Sequence, residues 1–96
     1  MATDASRALL YADLGLLAES VPDPTASLCD AMLDAAALEL FDAGIAVDES
    51  QPRDLQLLSM YAAWLYRGRV QQTAKPLMLQ RLIRNRQAAQ AVEGSP

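Results

Sequence analysis

From Leu55 to Tyr66 the chain runs twelve residues without a charge, a Gly or a Pro. Leu55, Leu58, Ala62 and Leu65 recur at helical intervals, and Leu57, Tyr61 and Trp64 fall on an adjoining face. The apolar positions do not alternate with polar ones, and twelve residues is long for a strand, so the pattern predicts a buried helix rather than a strand. An apolar surface that wide needs two flanking elements to cover it. The expected core is therefore built on Leu55, Leu58, Tyr61, Ala62, Trp64 and Leu65, in a central helix over about residues 52–69.

The flanking segments carry the same period. Thr3-Asp4 or Ser6 is placed to cap a first helix in which Leu9, Leu10, Leu14 and Leu17 recur, and Gly15 marks its stop. Leu16 to Asp23 reads as an irregular connection, because Pro22 and Pro24 push the residues before them away from helix. Asp23 as cap and Pro24 at the first position then open a second helix that runs to about Ala43, with Gly44 ending it and Ile45 folding back on Leu40. Its inner stripe is Leu28, Met32, Ala36 and Leu40, widened by Cys29, Leu33 and Ala37; its outer face carries Asp30, Asp34 and Asp42. The stripe is rich in alanine, so a close approach to the central helix is expected. Asp48 or Ser50 caps the central helix, and its last turn holds Arg67 and Arg69, where cations favour the carbonyl end of a helix. After a polar connection at Val70–Ala74, Lys75-Pro76 opens a fourth helix with Met78 or Leu79, Leu82, Ile83 and Arg86 facing inward and Arg81 and Arg84 outward. The sum is a single all-α domain, a small bundle of four helices, with residues 88–96 expected as an extended or partner-bound tail.

Charge adds a division that the periodicity does not contain. The net charge is −4, yet residues 1–52 hold ten acids against Arg7 alone, a balance of −9, while residues 53–96 hold seven bases against Asp54 and Glu93, a balance of +5. The chain has no His and one cysteine, Cys29, so a zinc site, a histidine relay and an internal disulfide are not expected. There is no EF-hand loop and no Gly-rich phosphate loop, and no Ser has a His to activate it, so neither catalysis nor a cofactor is expected. No basic segment followed by an apolar run opens the chain, and twelve uncharged residues fall short of the roughly 20 that span a bilayer. A soluble protein made in the cytoplasm is the expectation.

The stretch GIAVDESQPRDLQLLSMYAAWLYRGR, residues 44–69, followed by KPLMLQRLIRNRQ, residues 75–87, resembles the second half of the phage head-tail connector family, also described as head-completion or DNA-packaging adaptor proteins. The shared features are a Gly-Ile turn closing a long helix, an Asp-Glu-Ser cap, a Tyr-Ala-Ala-Trp-Leu-Tyr-Arg helix and a closing basic helix that opens at a proline. Where the family often has Asn-Asn-Arg-Leu-Phe, this chain has Arg84-Asn85-Arg86-Gln87-Ala88. The resemblance implies a structural virion protein at the neck of the particle, a ring of about twelve copies joining the portal to a tail or stopper protein, with DNA passing through the channel without sequence-specific binding. A ring requires one patch of a subunit to meet a different patch of its neighbour, and opposite charges on the two halves suit that. The expected subunit interface pairs Asp30 and Asp34 with Arg81 and Arg84, or with Arg67 and Arg69; Arg86, Gln87 and Gln90 are expected to contact the portal. The alternative is a small helical regulator that binds nucleic acid or a protein partner, for example a DNA-packaging accessory subunit.

Overall fold

A computed structural model of the chain describes residues 3–68 and 74–93. Four helices carry the structure: α1 (Asp4–Leu14), α2 (Asp23–Asp42), α3 (Pro52–Gly68) and α4 (Leu77–Glu93), with a short 3-10 turn at Ala18–Ser20. The protein is an all-α bundle in which α3 packs against each of the other three helices, most extensively against α1 and α2 and most sparingly against α4. The molecule measures 47 × 28 × 18 Å. Since packed helices lie about 8–10 Å apart, an 18 Å thickness leaves room for only two layers, so each helix keeps a broad face on the surface. Among the described residues no helix is long and apolar enough to cross a membrane.

Local chemistry sets the ends of the elements. Thr3 caps α1 through a reciprocal capping box: its hydroxyl accepts from the Ser6 amide at 3.2 Å and its own amide donates to the Ser6 hydroxyl at 2.8 Å. Gly15 (φ 73°) and Gly44 (φ 87°) take the left-handed conformation after α1 and α2. Beyond each of them the next amide closes a six-residue loop, Leu16 N–H to Tyr11 O at 2.8 Å and Ile45 N–H to Leu40 O at 2.9 Å. Ile45 is thereby folded back into the core beside Leu40, as the glycine stop predicts. The start of α2 differs from expectation. Pro22 occupies the cap and Asp23 lies inside the first turn, where its negative charge favours the exposed amides in place of a capping hydrogen bond. At the other end of the chain α4 begins at Leu77 and continues to Glu93, so residues 88–93 are helix rather than the extended tail expected from 88 onward. Arg69 and residues 70–73 of the expected polar connection lie outside the described residues.

The core is one cluster. Leu10 and Tyr11 of α1, Cys29, Leu33, Ala36 and Leu40 of α2, Ile45, and Leu57, Leu58, Tyr61, Ala62 and Ala63 of α3 are buried together, and Leu79 is the contribution of α4. Of the expected central residues, Leu58, Tyr61 and Ala62 are inside, while Trp64 and Leu65 pack half-buried at its margin. Leu55 is half-buried too but lies outside the cluster, whereas Leu57 and Ala63, not among the expected residues, are buried within it. The reason is the shallow two-layer shape, which covers one broad face of α3 and not its whole circumference. Leu40 and Leu38, two residues apart on α2, show the consequence, with the first fully buried and the second 62% exposed. Leu40→Ala is expected to lower the unfolding free energy by about 2–5 kcal/mol, whereas Leu38→Ala should change it by no more than about 0.5 kcal/mol. Urea titrations of the two variants check this, and equal losses would contradict the assigned inner face of α2.

Candidate functional site

The charged residues that the sequence singles out fall into two groups once the helices are in place: those consumed inside the molecule and those left on its surface. The first group centres on Asp54. It lies in the first turn of α3 with no exposed surface, and its carboxylate accepts from Arg86 of α4 twice, from Nε at 2.7 Å and from Nη2 at 3.3 Å. Its Oδ2 also accepts the Asp48 amide at 2.8 Å, which ties the α2–α3 connection to the same point. Arg86 is itself 8% exposed. A bidentate arginine-carboxylate pair out of water is held by geometry as much as by charge.

Two glutamines extend this attachment. Gln87 Nε2 donates to Ala43 O at 2.8 Å, and the Gln90 side chain reads the backbone of Ala46 in both directions, donating to its carbonyl at 2.8 Å and accepting from its amide at 3.0 Å. At the opposite end of α4, Lys75 Nζ sits 4.9 Å from the Tyr61 ring centroid and 5.4 Å from that of Trp64, over a pair of rings packed edge to face. Arg86, expected at the portal, is a correction because it is buried; the inward phase that places it on the core side of α4 commits it to holding α4 on the α2–α3 connection, and Gln87 and Gln90 support that connection from half-buried positions. An open cleft of about 110 Å³ remains beside the pair, lined by Arg53, Leu57, Leu82, Asn85, Arg86 and Ala89.

The other expected interface residues divide. Asp30 is corrected. It receives Arg7 Nε at 2.7 Å and Nη2 at 3.2 Å, an α1–α2 contact within one molecule that raises the Arg7 pKa further, first through the hydrogen bond and then through the charge. Arg67 likewise reaches back to α1, donating to Asp13 O at 3.0 Å with its guanidinium 3.8 Å from the Asp13 carboxylate. Asp34 is exposed on the outer face of α2, and Arg81 and Arg84 are exposed on the outer face of α4, where neither forms an ion pair among the described residues. Arg69 lies outside the described residues.

Beside these charges stand exposed apolar residues. Leu38 and Phe41 flank Asp34 and Asp42 on the outer face of α2; Leu77 and Met78 precede Arg81 and Arg84 on the outer face of α4. The signal was present, because Leu38 and Phe41 are out of phase with the stripe Leu33, Ala36 and Leu40 and cannot share its face. No cluster of three or more His, Cys, Asp or Glu side chains is placed to hold a metal ion among the described residues. Comparison with protein-family models, with curated proteins and with solved structures finds no match to this chain.

Two outcomes follow for the polar attachment of α4. Removing either partner leaves a buried charge, so Asp54→Ala and Arg86→Ala should each cost about 3–5 kcal/mol, and the double variant should cost much less than the sum because both remove one interaction. Denaturant titration of the three variants reads this directly, and strict additivity would contradict it. Asp48, at the mouth of the same connection, has its pKa held below the ordinary carboxylate value by the Ser50 hydroxyl at 2.6 Å and by the Ser50 amide at 3.0 Å. A carboxyl depressed on folding stabilises the fold above its unfolded pKa and loses that contribution as pH falls through its folded pKa. Ser50→Ala should raise the Asp48 pKa in an NMR titration, and an unchanged value would show that the hydroxyl has no part in it.

Proposed function

We propose that the chain is a structural virion protein, a connector subunit that assembles with copies of itself into a ring at the neck of a phage particle, between the portal and a tail or stopper protein. The observation that carries this reading is the chemistry of two exposed helix faces. Asp13, Asp30 and Asp54 are bound within the molecule, yet an acidic outer face on α2 and a basic outer face on α4 remain exposed, each with large apolar side chains beside its charges. Exposed apolar residues rimmed by charge are the signature of a contact surface. Two different, complementary patches on one subunit favour head-to-tail assembly, which closes into rings. The resemblance of roughly residues 40–87 to the connector family supports the particular setting.

The alternative, a helical regulator that grips nucleic acid, is disfavoured by the small basic footprint. Neutralising Z phosphates gives a salt dependence of about −0.9Z, and the outer face of α4 offers only Arg81 and Arg84. So slight a hold suits DNA that must slide past. Electron microscopy of the concentrated protein at low salt, and of particles labelled with an antibody against it, tests the proposal. Closed rings and label at the head-tail junction are expected. Particles that carry no label, together with a tight duplex affinity that falls steeply with salt, would favour the regulator instead.

A further inference from the structure

Between α3 and α4 the packing leaves a cleft of about 110 Å³ that neither helix fills. Arg53 and Leu57, one turn apart on α3, line it together with Leu82, Asn85, Arg86 and Ala89, which share one side of α4. Leu57 is buried, Leu82 and Ala89 are half-buried, and Ala89 contributes only a methyl group, so the apolar part of the lining has room against it. A dry cavity of roughly 150 Å³ holds a benzene ring, so this smaller space suits a branched chain of about four or five carbons. The polar part of the lining is cationic: Arg53 and Arg86 contribute guanidinium groups, and no acid lines the cleft among the described residues. We propose that the cleft binds a short branched aliphatic carboxylate, as a free acid or as the C-terminal leucine of a polypeptide.

Both guanidiniums are engaged within the molecule. Arg86 is bound twice to Asp54, and Arg53 Nε lies 4.0 Å from Asp54 Oδ1. The attraction for a ligand is one of charge and needs no vacant donor. Two acids belong to the same cluster, and both lie outside the lining: Asp54 has no exposed surface, and the Asp48 carboxylate accepts from the Ser50 hydroxyl and amide. A group in the cleft therefore meets guanidinium before carboxylate. An inorganic anion would use that charge and leave the apolar lining wet, and a neutral hydrocarbon would cover the lining and leave the charge unanswered, so the ligand needs both parts. Its chain rests on Leu57, Leu82 and Ala89, and its carboxylate turns toward Arg53, which is exposed at the rim. The site is separate from the outer faces of α2 and α4 and independent of the assembly reading. Because its walls come from two helices, an occupant bridges α3 and α4 and stabilises the seating of α4.

Isocaproate is the probe, titrated into the full-length chain and followed by NMR, with isocaproamide and acetate as controls. The acid should give saturable shifts centred on Leu57, Leu82, Asn85 and Ala89, with a Kd of about 1 mM, in keeping with so small a ligand. The amide has the chain without the charge and acetate the charge without the chain, so each should bind about fivefold more weakly or less. Ala89→Leu fills the cleft from its own wall and should abolish the shifts. Arg53→Gln, a change at an exposed position, should bring the acid down to the level of the amide; circular dichroism checks that both variants fold, and if Ala89→Leu does not, the Arg53→Gln comparison decides alone. Acetyl-glycyl-leucine, run beside isocaproate, separates the two sources: tighter binding of the dipeptide assigns a chain terminus, and tighter binding of isocaproate assigns a free acid. No saturable shift, equal binding of acid and amide, shifts centred on Arg81 and Arg84, or acid binding unchanged in Arg53→Gln would overturn the proposal.

Discussion

The position of α4 depends on one buried ion pair. Among the described side chains α4 contributes a single fully buried apolar one, Leu79, to the common core, with Leu82 and Ile83 only partly covered. An apolar contact of that size attracts but does not specify a register, since a helix rolled or slid by one turn would bury nearly as much. Asp54 and Arg86 supply the missing specificity. The carboxylate has no exposed surface and accepts two hydrogen bonds from Arg86 and one from the Asp48 amide, so only one placement of α4 leaves no buried charge uncompensated. Gln87 and Gln90, reading the backbone at Ala43 and Ala46, then fix the same placement from a second side.

That attachment governs what the surface offers. With Arg86 turned inward, the helical period forces Leu77, Met78, Arg81 and Arg84 outward. With Leu33, Ala36 and Leu40 of α2 turned inward, Asp34, Leu38, Phe41 and Asp42 are forced outward in the same way. The division of charge along the chain therefore has two fates. Part of it is spent inside the molecule, where Asp13 meets Arg67 and Asp30 meets Arg7, and part is displayed on two helix faces of opposite sign. The displayed part is carried by fewer residues than the totals for the two halves imply.

Much of this fold was legible in the residues themselves. Helix positions followed from apolar period, and Gly15 and Gly44 marked two helix ends because few other residues tolerate their backbone angles. The inner face of α2 and most of that of α3 followed from spacing. Asp54 did not, because an acid near a helix start has a ready explanation as a solvated first-turn charge; its phase with Leu57, Leu58 and Tyr61 was the sign that it pointed inward. The pairing of Asp30 is not legible, because its partner, Arg7, lies 23 positions away on another helix, a distance that no local pattern encodes. An uncharged run reads as buried all round, whereas a two-layer molecule covers one face only and leaves Leu55 partly buried.

Amide hydrogen exchange along the chain tests most directly whether the Asp54–Arg86 pair holds α4 in place. The account predicts that α4 opens at a lower free energy than the inner residues of α2 and α3, and that Asp54→Asn lowers the protection of α4 while leaving that of Leu33 to Leu40 nearly unchanged. Equal protection of α4 and α3 in the native chain, with both falling together in Asp54→Asn, would show that apolar packing alone seats the helix and would contradict it.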